Sequence, residues 1–171
     1  MKNAEEARAN TLSARHGVNS FPHHSDFAFR PFPPRLIILI NETQQSYETP
    51  TNVTRIIDLP KKMQDIHARS QWHLRVRGMA FVVGGMTAVG KHLIHRWDTD
   101  FLEPENGEAW ACLQIIKKLV PRVESPHKWK PKSALLIDNW NCTHSRGYAK
   151  GGGENRELVR LEAWHHAGVD H

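Results

Sequence analysis

The run Leu36–Ile40 constrains the fold most, because it is five consecutive apolar residues between Pro34 and Asn41. It is far shorter than the ~20 apolar residues that span a bilayer, and the nearby proline prevents a helix from continuing through it. A short apolar run rich in β-branched residues predicts a buried strand. We therefore expect a sheet to be built around this segment.

Other strands are predicted at residues 51–58, 134–137 and 156–164. Two further strand-like runs, 72–83 and 92–97, surround several glycines and predict a hairpin. Residues 58–70 have a polar, partly helical pattern. The one convincing amphipathic helix begins after Asn106, a suitable N-cap, and is expected to end at Pro121. In the last strand the alternation places Arg156 and Arg160 on one face, which indicates that they line a site.

The chain has 171 residues, enough for one domain, and its net charge of +5 comes from scattered basic residues. We expect a polar lead-in over residues 1–20 and a single domain over 21–171. The scatter disfavours nucleic-acid binding, whereas an anionic small substrate would suit the charge. Neither a membrane span nor a signal peptide is predicted, so a cytoplasmic location is expected. Cys112 and Cys142 are expected to be buried small apolar residues.

Twelve histidines point to metal chemistry, and His24-Ser25-Asp26 is a compact candidate for part of a metal site. Residues i and i+2 of an extended segment point the same way, so His24 and Asp26 can share an ion, as in sites with two histidines and one carboxylate. His23 is the rival ligand, but its spacing to Asp26 does not suit one face. By itself His-x-Asp is a weak signal, since about one match is expected by chance.

More specific motifs follow in order along the chain. Residues 135–140 read LLIDNW and lead to His144-Ser145-Arg146, and then to Arg156 and Arg160. Upstream lie RWD at 96–98, Pro104, a PPR run at 33–35, and Pro50-Thr51. From residue 22 to 164 this order resembles the taurine dioxygenase-like, or γ-butyrobetaine hydroxylase-like, family of Fe(II)/2-oxoglutarate oxygenases. Members usually carry a long region before the His-x-Asp motif, whereas only 23 residues precede His24 here.

The resemblance implies a role for each matched residue. His24, Asp26 and His144 would be the iron ligands. Arg160 would pair with the remote carboxylate of 2-oxoglutarate, and Thr51 would donate its hydroxyl to the same carboxylate. Arg156 would act near the iron-binding end of the co-substrate or the open coordination position, and a structural ion pair is the alternative for it.

The resemblance also implies a mainly β fold, a double-stranded β-helix or jelly-roll with the amphipathic helix packed outside. The implied activity is oxidation, chiefly hydroxylation, of a small and possibly carboxylate-bearing molecule, using Fe(II), 2-oxoglutarate and O2. Two alternatives stay open: a non-catalytic member that binds metal or ligand, and a basic nucleic-acid-binding module. Because the family's N-terminal region is missing, we expect a homodimer that covers the exposed sheet edge.

Overall fold

The computed structural model describes residues 16, 19–76, 79–147 and 158–164. The strands in this part are β1 (Phe21–His24), β2 (Leu36–Ile40), β3 (Tyr47–Arg55), β4 (Gln71–Val76), β5 (Met79–Gly84), β6 (Met86–Val89), β7 (His92–His95), β8 (Leu102–Pro104), β9 (Ser125–Trp129), β10 (Ala134–Asp138), β11 (Cys142–Arg146) and β12 (Val159–Ala163). The helices are α1 (Lys61–Arg69), α2 (Gly107–Val123) and a 3-10 turn at Ile56–Asp58. The β-rich fold that was expected is confirmed.

Seven of these strands form two antiparallel sheets. Sheet A has the order β1-β11-β3-β9, and sheet B has the order β10-β2-β12. Ile37 and Ile137 of sheet B pack with Cys142 of sheet A, so the two sheets enclose a small apolar core. Along the chain, β1, β3, β9 and β11 belong to sheet A, while β2, β10 and β12 belong to sheet B.

The segment between β3 and β9 forms a second layer of structure. It contains the sheet β5-β4-β8, the hairpin β6-β7 and both helices. A larger apolar core joins these elements around Trp72, Leu74 and Trp97, and Cys112 of α2 is buried within it. Both cysteines are buried free thiols, as expected. Neither described helix is long and apolar enough to cross a membrane.

The strand predicted at Leu36–Ile40 is confirmed with the same bounds, and it lies at the centre of sheet B. Its burial differs from expectation, because only Ile37 is fully buried and the other four residues are partly exposed. The reason is alternation: Ile37 and Leu39 point into the core, while the alternate residues point to the outer face of the sheet.

Several boundaries differ from those predicted. The runs 72–83 and 92–97 belong to two separate hairpins, β4-β5 and β6-β7, rather than to one. The predicted strand at 51–58 begins earlier, at Tyr47, and its last three residues form the 3-10 turn. There are two α-helices in the described part rather than one, since the partly helical segment 58–70 contains α1.

Helix α2 begins as predicted and ends later than predicted. Asn106 caps it, with its side-chain oxygen accepting a hydrogen bond from the Ala109 N–H at 3.0 Å. Pro121 does not end α2, which continues to Val123. A proline loses one hydrogen bond to the preceding turn but does not prevent the final residues from keeping helical geometry. Most of the lead-in at residues 1–20 lies outside the described residues.

Candidate metal centre

His24, Asp26 and His144 come together in the structure, as the predicted metal site requires. All three are buried, and their ligand atoms lie within 4.8 Å of one another. The Nε2 atom of His24 is 3.8 Å from one carboxylate oxygen of Asp26, and the Nε2 atom of His144 is 3.8 Å from the other. No other group of three or more such side chains is found in the described part of the chain.

The two histidines are neighbours because β1 and β11 pair directly at this point. His24 is opposite His144 in the antiparallel register, and their ring centroids are 4.3 Å apart. A second contact orients the His24 ring: its Nδ1, on the side of the ring away from Asp26, donates a hydrogen bond to the Pro22 carbonyl at 2.9 Å. A carbonyl can only accept, so in the neutral ring Nε2 carries the lone pair that faces Asp26.

Asp26 follows β1 in a loop that is held by Asn139. The Asn139 side-chain oxygen accepts a hydrogen bond from the Asp26 N–H at 2.8 Å, and its NH2 group donates to the Asp26 and Pro34 carbonyls at 2.9 Å each. Asn139 is fully buried. Its side chain therefore fixes the backbone that aims the Asp26 carboxylate at the two imidazoles.

The electrostatics of the cluster favour an ionised carboxylate at Asp26 beside a neutral imidazole at His144. Burial by itself would raise the pKa of Asp26, but His144, His24 and Arg160 outweigh it and hold that pKa below its ordinary value. Burial, together with His24, lowers the pKa of His144 to about 3, so its imidazole is neutral at pH 7. A neutral imidazole and a carboxylate are the protonation states that bind a metal ion.

This donor set fits a divalent first-row metal ion. Both Nε2-to-oxygen distances are 3.8 Å, which is too long for a hydrogen bond, so the three groups face one another without a shared proton. Two nitrogens and one carboxylate on one side of a site form the arrangement that non-haem Fe(II) oxygenases use. Adjacent ligands of one ion lie about 3 Å apart, given bonds of about 2.1 Å, so small side-chain movements would complete the coordination.

His23, the rival ligand, lies away from this cluster. Its Nε2 is 2.9 Å from a carboxylate oxygen of Glu124 and 3.0 Å from the Ser145 hydroxyl, while its Nδ1 is 3.2 Å from the Thr143 hydroxyl. These contacts occupy both ring nitrogens of His23. The structure therefore brings His24, and not His23, to Asp26.

Thr51 and Arg160 lie on different sheets of the fold. Thr51 is buried on β3, directly opposite Arg146 of β11, and its hydroxyl accepts a hydrogen bond from the Trp129 indole N–H at 3.2 Å. Arg160 on β12 donates to Asp26 itself, with Nη1 at 3.3 Å from the carboxylate oxygen, and also pairs with Glu162. Arg160 is thus at the metal end of the site. Arg156 lies outside the described residues.

Asn139 belongs to the LLIDNW run, but no pattern in the sequence predicts a role for it. The one local signal for Asn139 is its place two positions after the end of the predicted strand at 134–137. That it reaches back 113 positions to Asp26 depends on how sheets A and B meet.

Comparisons with known proteins show where this fold occurs. No family model matches the sequence, and no curated protein matches it. Among solved structures, the chain is similar to an asparagine oxygenase in complex with Fe(II), 2S,3S-3-hydroxyasparagine and succinate. The TM-score is 0.70 at 14% sequence identity, and the match covers 86% of this chain and 50% of that one. It is also similar to the non-heme iron oxygenase OrfP in complex with Fe, at a TM-score of 0.66 and 17% identity, covering 86% and 51%.

A third similar structure is PvcB, an Fe, α-ketoglutarate-dependent oxygenase from an isonitrile synthetic pathway. Its TM-score is 0.63 at 15% identity, with 85% of this chain and 57% of that one covered. The chain thus spans about half the length of the structures it matches. The chain therefore has the fold of these iron-dependent oxygenases, which is the fold that the resemblance in the sequence motifs implies.

Proposed function

We propose that the protein is an Fe(II)- and 2-oxoglutarate-dependent oxygenase that hydroxylates a small molecule. The observation that carries the proposal is the convergence of His24, Asp26 and His144 in a buried cluster with no shared proton. Bound iron would supply the redox chemistry that couples decarboxylation of 2-oxoglutarate, to succinate and CO2, with oxidation of the substrate by O2. The protein would hold the iron through the two Nε2 atoms and the Asp26 carboxylate.

We infer that sheets A and B form the double-stranded β-helix that the family resemblance implies. Support comes from the topology, because antiparallel strands distant in sequence are interleaved between two packed sheets. The metal-binding cluster is formed by β1, the loop that follows it and β11, with Arg160 of β12 approaching from sheet B.

The position of Arg160 leads us to exchange the roles expected for the two arginines. Its guanidinium contacts Asp26, so it belongs at the iron-binding end of the co-substrate. The remote carboxylate of 2-oxoglutarate is separated from the chelating keto group by two methylene groups and needs a cation farther from the metal. We assign that cation to Arg156, with Thr51 as the hydroxyl partner, since Thr51 is buried on the neighbouring sheet A.

The proposal is tested by incubating the purified protein with Fe(II), ascorbate, 2-oxoglutarate and a panel of small metabolites, and by measuring succinate. His144→Ala should abolish both Fe(II) binding and succinate formation, because it removes one of three protein ligands. His73→Ala is the matched control, since His73 is a half-buried histidine on β4 with a 3.7 Å contact to Glu105. Succinate formation by His144→Ala at the rate of the unmodified protein would refute the assignment.

The alternatives give different results in the same preparations. A non-catalytic member would bind Fe(II) and 2-oxoglutarate without forming succinate. A nucleic-acid-binding module would bind DNA or RNA with an affinity that falls steeply as the salt concentration rises.

The similar structures support a small-molecule substrate, since the asparagine oxygenase holds hydroxyasparagine and an OrfP structure holds hydroxyarginine. A cytoplasmic location is part of the same proposal.

We also propose a homodimer, and the outer face of sheet B supports it. Leu136, Ile38 and Leu161 lie side by side in the strand register on this face, and Leu136 and Leu161 are 61% and 49% exposed. A row of exposed apolar side chains on a sheet favours association. Light scattering at micromolar concentration should give twice the monomer mass, and Leu136→Lys should shift the protein to monomer. A monomeric unmodified protein would contradict the proposal.

A further inference from the structure

The pairing of β1 with β11 is irregular directly beside the metal centre. Phe21 lies opposite Arg146, and His24 lies opposite His144. The second pair is three residues along β1 from the first but only two residues along β11, so β1 carries one extra residue between them. This is the pattern of a β-bulge, in which two residues of one strand oppose one residue of its partner. Pro22 lies within the bulge, where a proline is tolerated because it has no N–H to give to the ladder.

The bulge decides which of two adjacent histidines reaches the metal site. If the register at the start of β1 continued regularly, His23 would lie opposite His144. His24 would then point to the other face of the sheet, because successive residues of a strand alternate. With the extra residue, His24 takes the place opposite His144 instead. Each register therefore presents one histidine to the metal site, and the choice of register is a choice of ligand.

Three side chains hold His23 on the face of sheet A away from the metal centre. A carboxylate can only accept, so the His23 Nε2 donates to Glu124 at 2.9 Å, and the same atom is 3.0 Å from the Ser145 hydroxyl. The Nδ1 of His23 is 3.2 Å from the Thr143 hydroxyl. Thr143 and Ser145 flank His144 on β11, so their side chains point away from the metal. We call this set the register lock, and it consists of His23, Glu124, Thr143 and Ser145.

Glu124 brings a distant part of the fold to the lock. It lies between α2 and β9, and in the described part of the chain β9 and β1 are the opposite edges of sheet A. The side chains of His23 and Glu124 are 12% and 25% exposed, while Thr143 and Ser145 are buried. Hydrogen bonds in such a shielded place are costly to leave unmade. In the regular register His23 would point to the other face and lose all of these contacts.

We propose that the register lock selects the bulged pairing of β1 and thereby makes His24, rather than His23, the metal ligand. The inference rests on the proposed function, since it concerns the same metal site. His23 and Glu124 are positioning residues in this scheme, because neither binds the ion and both act through the register of β1. When the lock is broken, both registers become accessible and either histidine can bind the ion.

The test measures how much affinity the metal site loses on removal of His24, with the lock intact and with the lock broken. Co(II) binds nitrogen and carboxylate donors as Fe(II) does, and its dissociation constant is obtained from its visible absorption. With the lock intact, His24→Ala should weaken Co(II) binding by at least about 100-fold, since loss of a ligand costs more than loss of an outer partner. In Glu124→Leu protein the same change should cost about tenfold or less, because His23 is free to replace His24.

A further substitution identifies the replacement ligand. His23→Ala, added to the protein with both His24→Ala and Glu124→Leu, should restore the full loss of Co(II) affinity. A general destabilisation by Glu124→Leu would weaken Co(II) binding with and without His24, so it cannot produce this pattern. If Glu124→Leu does not fold, Glu124→Ala also removes the carboxylate and is measured in its place.

Glu105→Leu is the matched control, because Glu105 also contacts a histidine, His73 at 3.7 Å, but on another sheet. In Glu105→Leu protein His24→Ala should keep its full cost. It should also do so in Glu124→Gln protein, in which the amide oxygen can still accept from His23.

An equal cost of His24→Ala in the unmodified and the Glu124→Leu proteins would overturn the lock. Co(II) binding that persists after His23→Ala in the triple variant would overturn it as well. Co(II) binding by the unmodified protein is scored separately: if it is absent, the proposed function fails, and the lock fails with it. If it is present, the comparison of the two backgrounds decides the lock alone.

Discussion

The hydrogen bonds of Asn139 make it the residue whose loss should affect both stability and the metal site. Asn139→Ala removes three bonds of 2.8 to 2.9 Å and leaves the Asp26 N–H and the Asp26 and Pro34 carbonyls without that partner. The side chain is fully buried, so water does not simply replace it. A buried polar group left unpaired costs about 1–3 kcal/mol, so three such groups give a loss of about 3–9 kcal/mol in the free energy of unfolding.

Asn141→Ala is the natural control, two positions away in the same turn. The Asn141 NH2 group donates to Asp138 at 2.8 Å, but Asn141 is exposed, so its loss should cost about 1 kcal/mol or less. Urea unfolding, followed by tryptophan fluorescence, measures both variants. Fe(II) affinity is measured without urea. Folded Asn139→Ala protein should bind Fe(II) more weakly than the unmodified protein, because the loop that orients the Asp26 carboxylate toward the two imidazoles is no longer held. Equal losses of stability in the two variants would refute this reasoning.

Three further predictions follow from other contacts. Burial, reinforced by His95, lowers the pKa of His67 to about 3, so below pH 6.5 the unfolded chain binds a proton that the folded chain does not. The free energy of unfolding should therefore fall by about 2 kcal/mol from this residue alone between pH 7 and pH 5, and His67→Leu should remove that part of the drop in urea titrations. Arg156→Ala should raise the 2-oxoglutarate concentration needed for succinate formation by at least about 30-fold, as expected for the loss of a desolvated charge pair. Arg160→Ala should instead lower the rate of succinate formation at saturating 2-oxoglutarate. The reverse pattern would restore the roles first expected for the two arginines. Asn106→Ala should lower the free energy of unfolding by about 1–2 kcal/mol, because the Ala109 and Gln71 N–H groups lose an acceptor, and an unchanged urea midpoint would contradict the cap.

Local patterns in the sequence were sufficient for much of the secondary structure. The strand Leu36–Ile40 and the capped start of α2 depend on residues within a few positions of one another, and both are where the sequence predicts them. The closeness of His24 and Asp26 is local too, since one residue separates them, although Asp26 lies in the loop after β1 and not on the strand itself. The end of α2 was missed because a single proline in a final turn is tolerated when the rest of the helix is packed.

The joining of His24 and Asp26 to His144 required the tertiary structure or the family resemblance. His144 is 118 residues beyond Asp26, and only the antiparallel register of β1 and β11 makes the two imidazoles neighbours. The contact of Arg160 with Asp26, and the reach of Asn139 to the same loop, likewise depend on how sheet B lies against sheet A. Sequence patterning determines which residues share a face, but strand pairing and sheet packing decide which faces meet, because those energies come from contacts between residues distant in the chain.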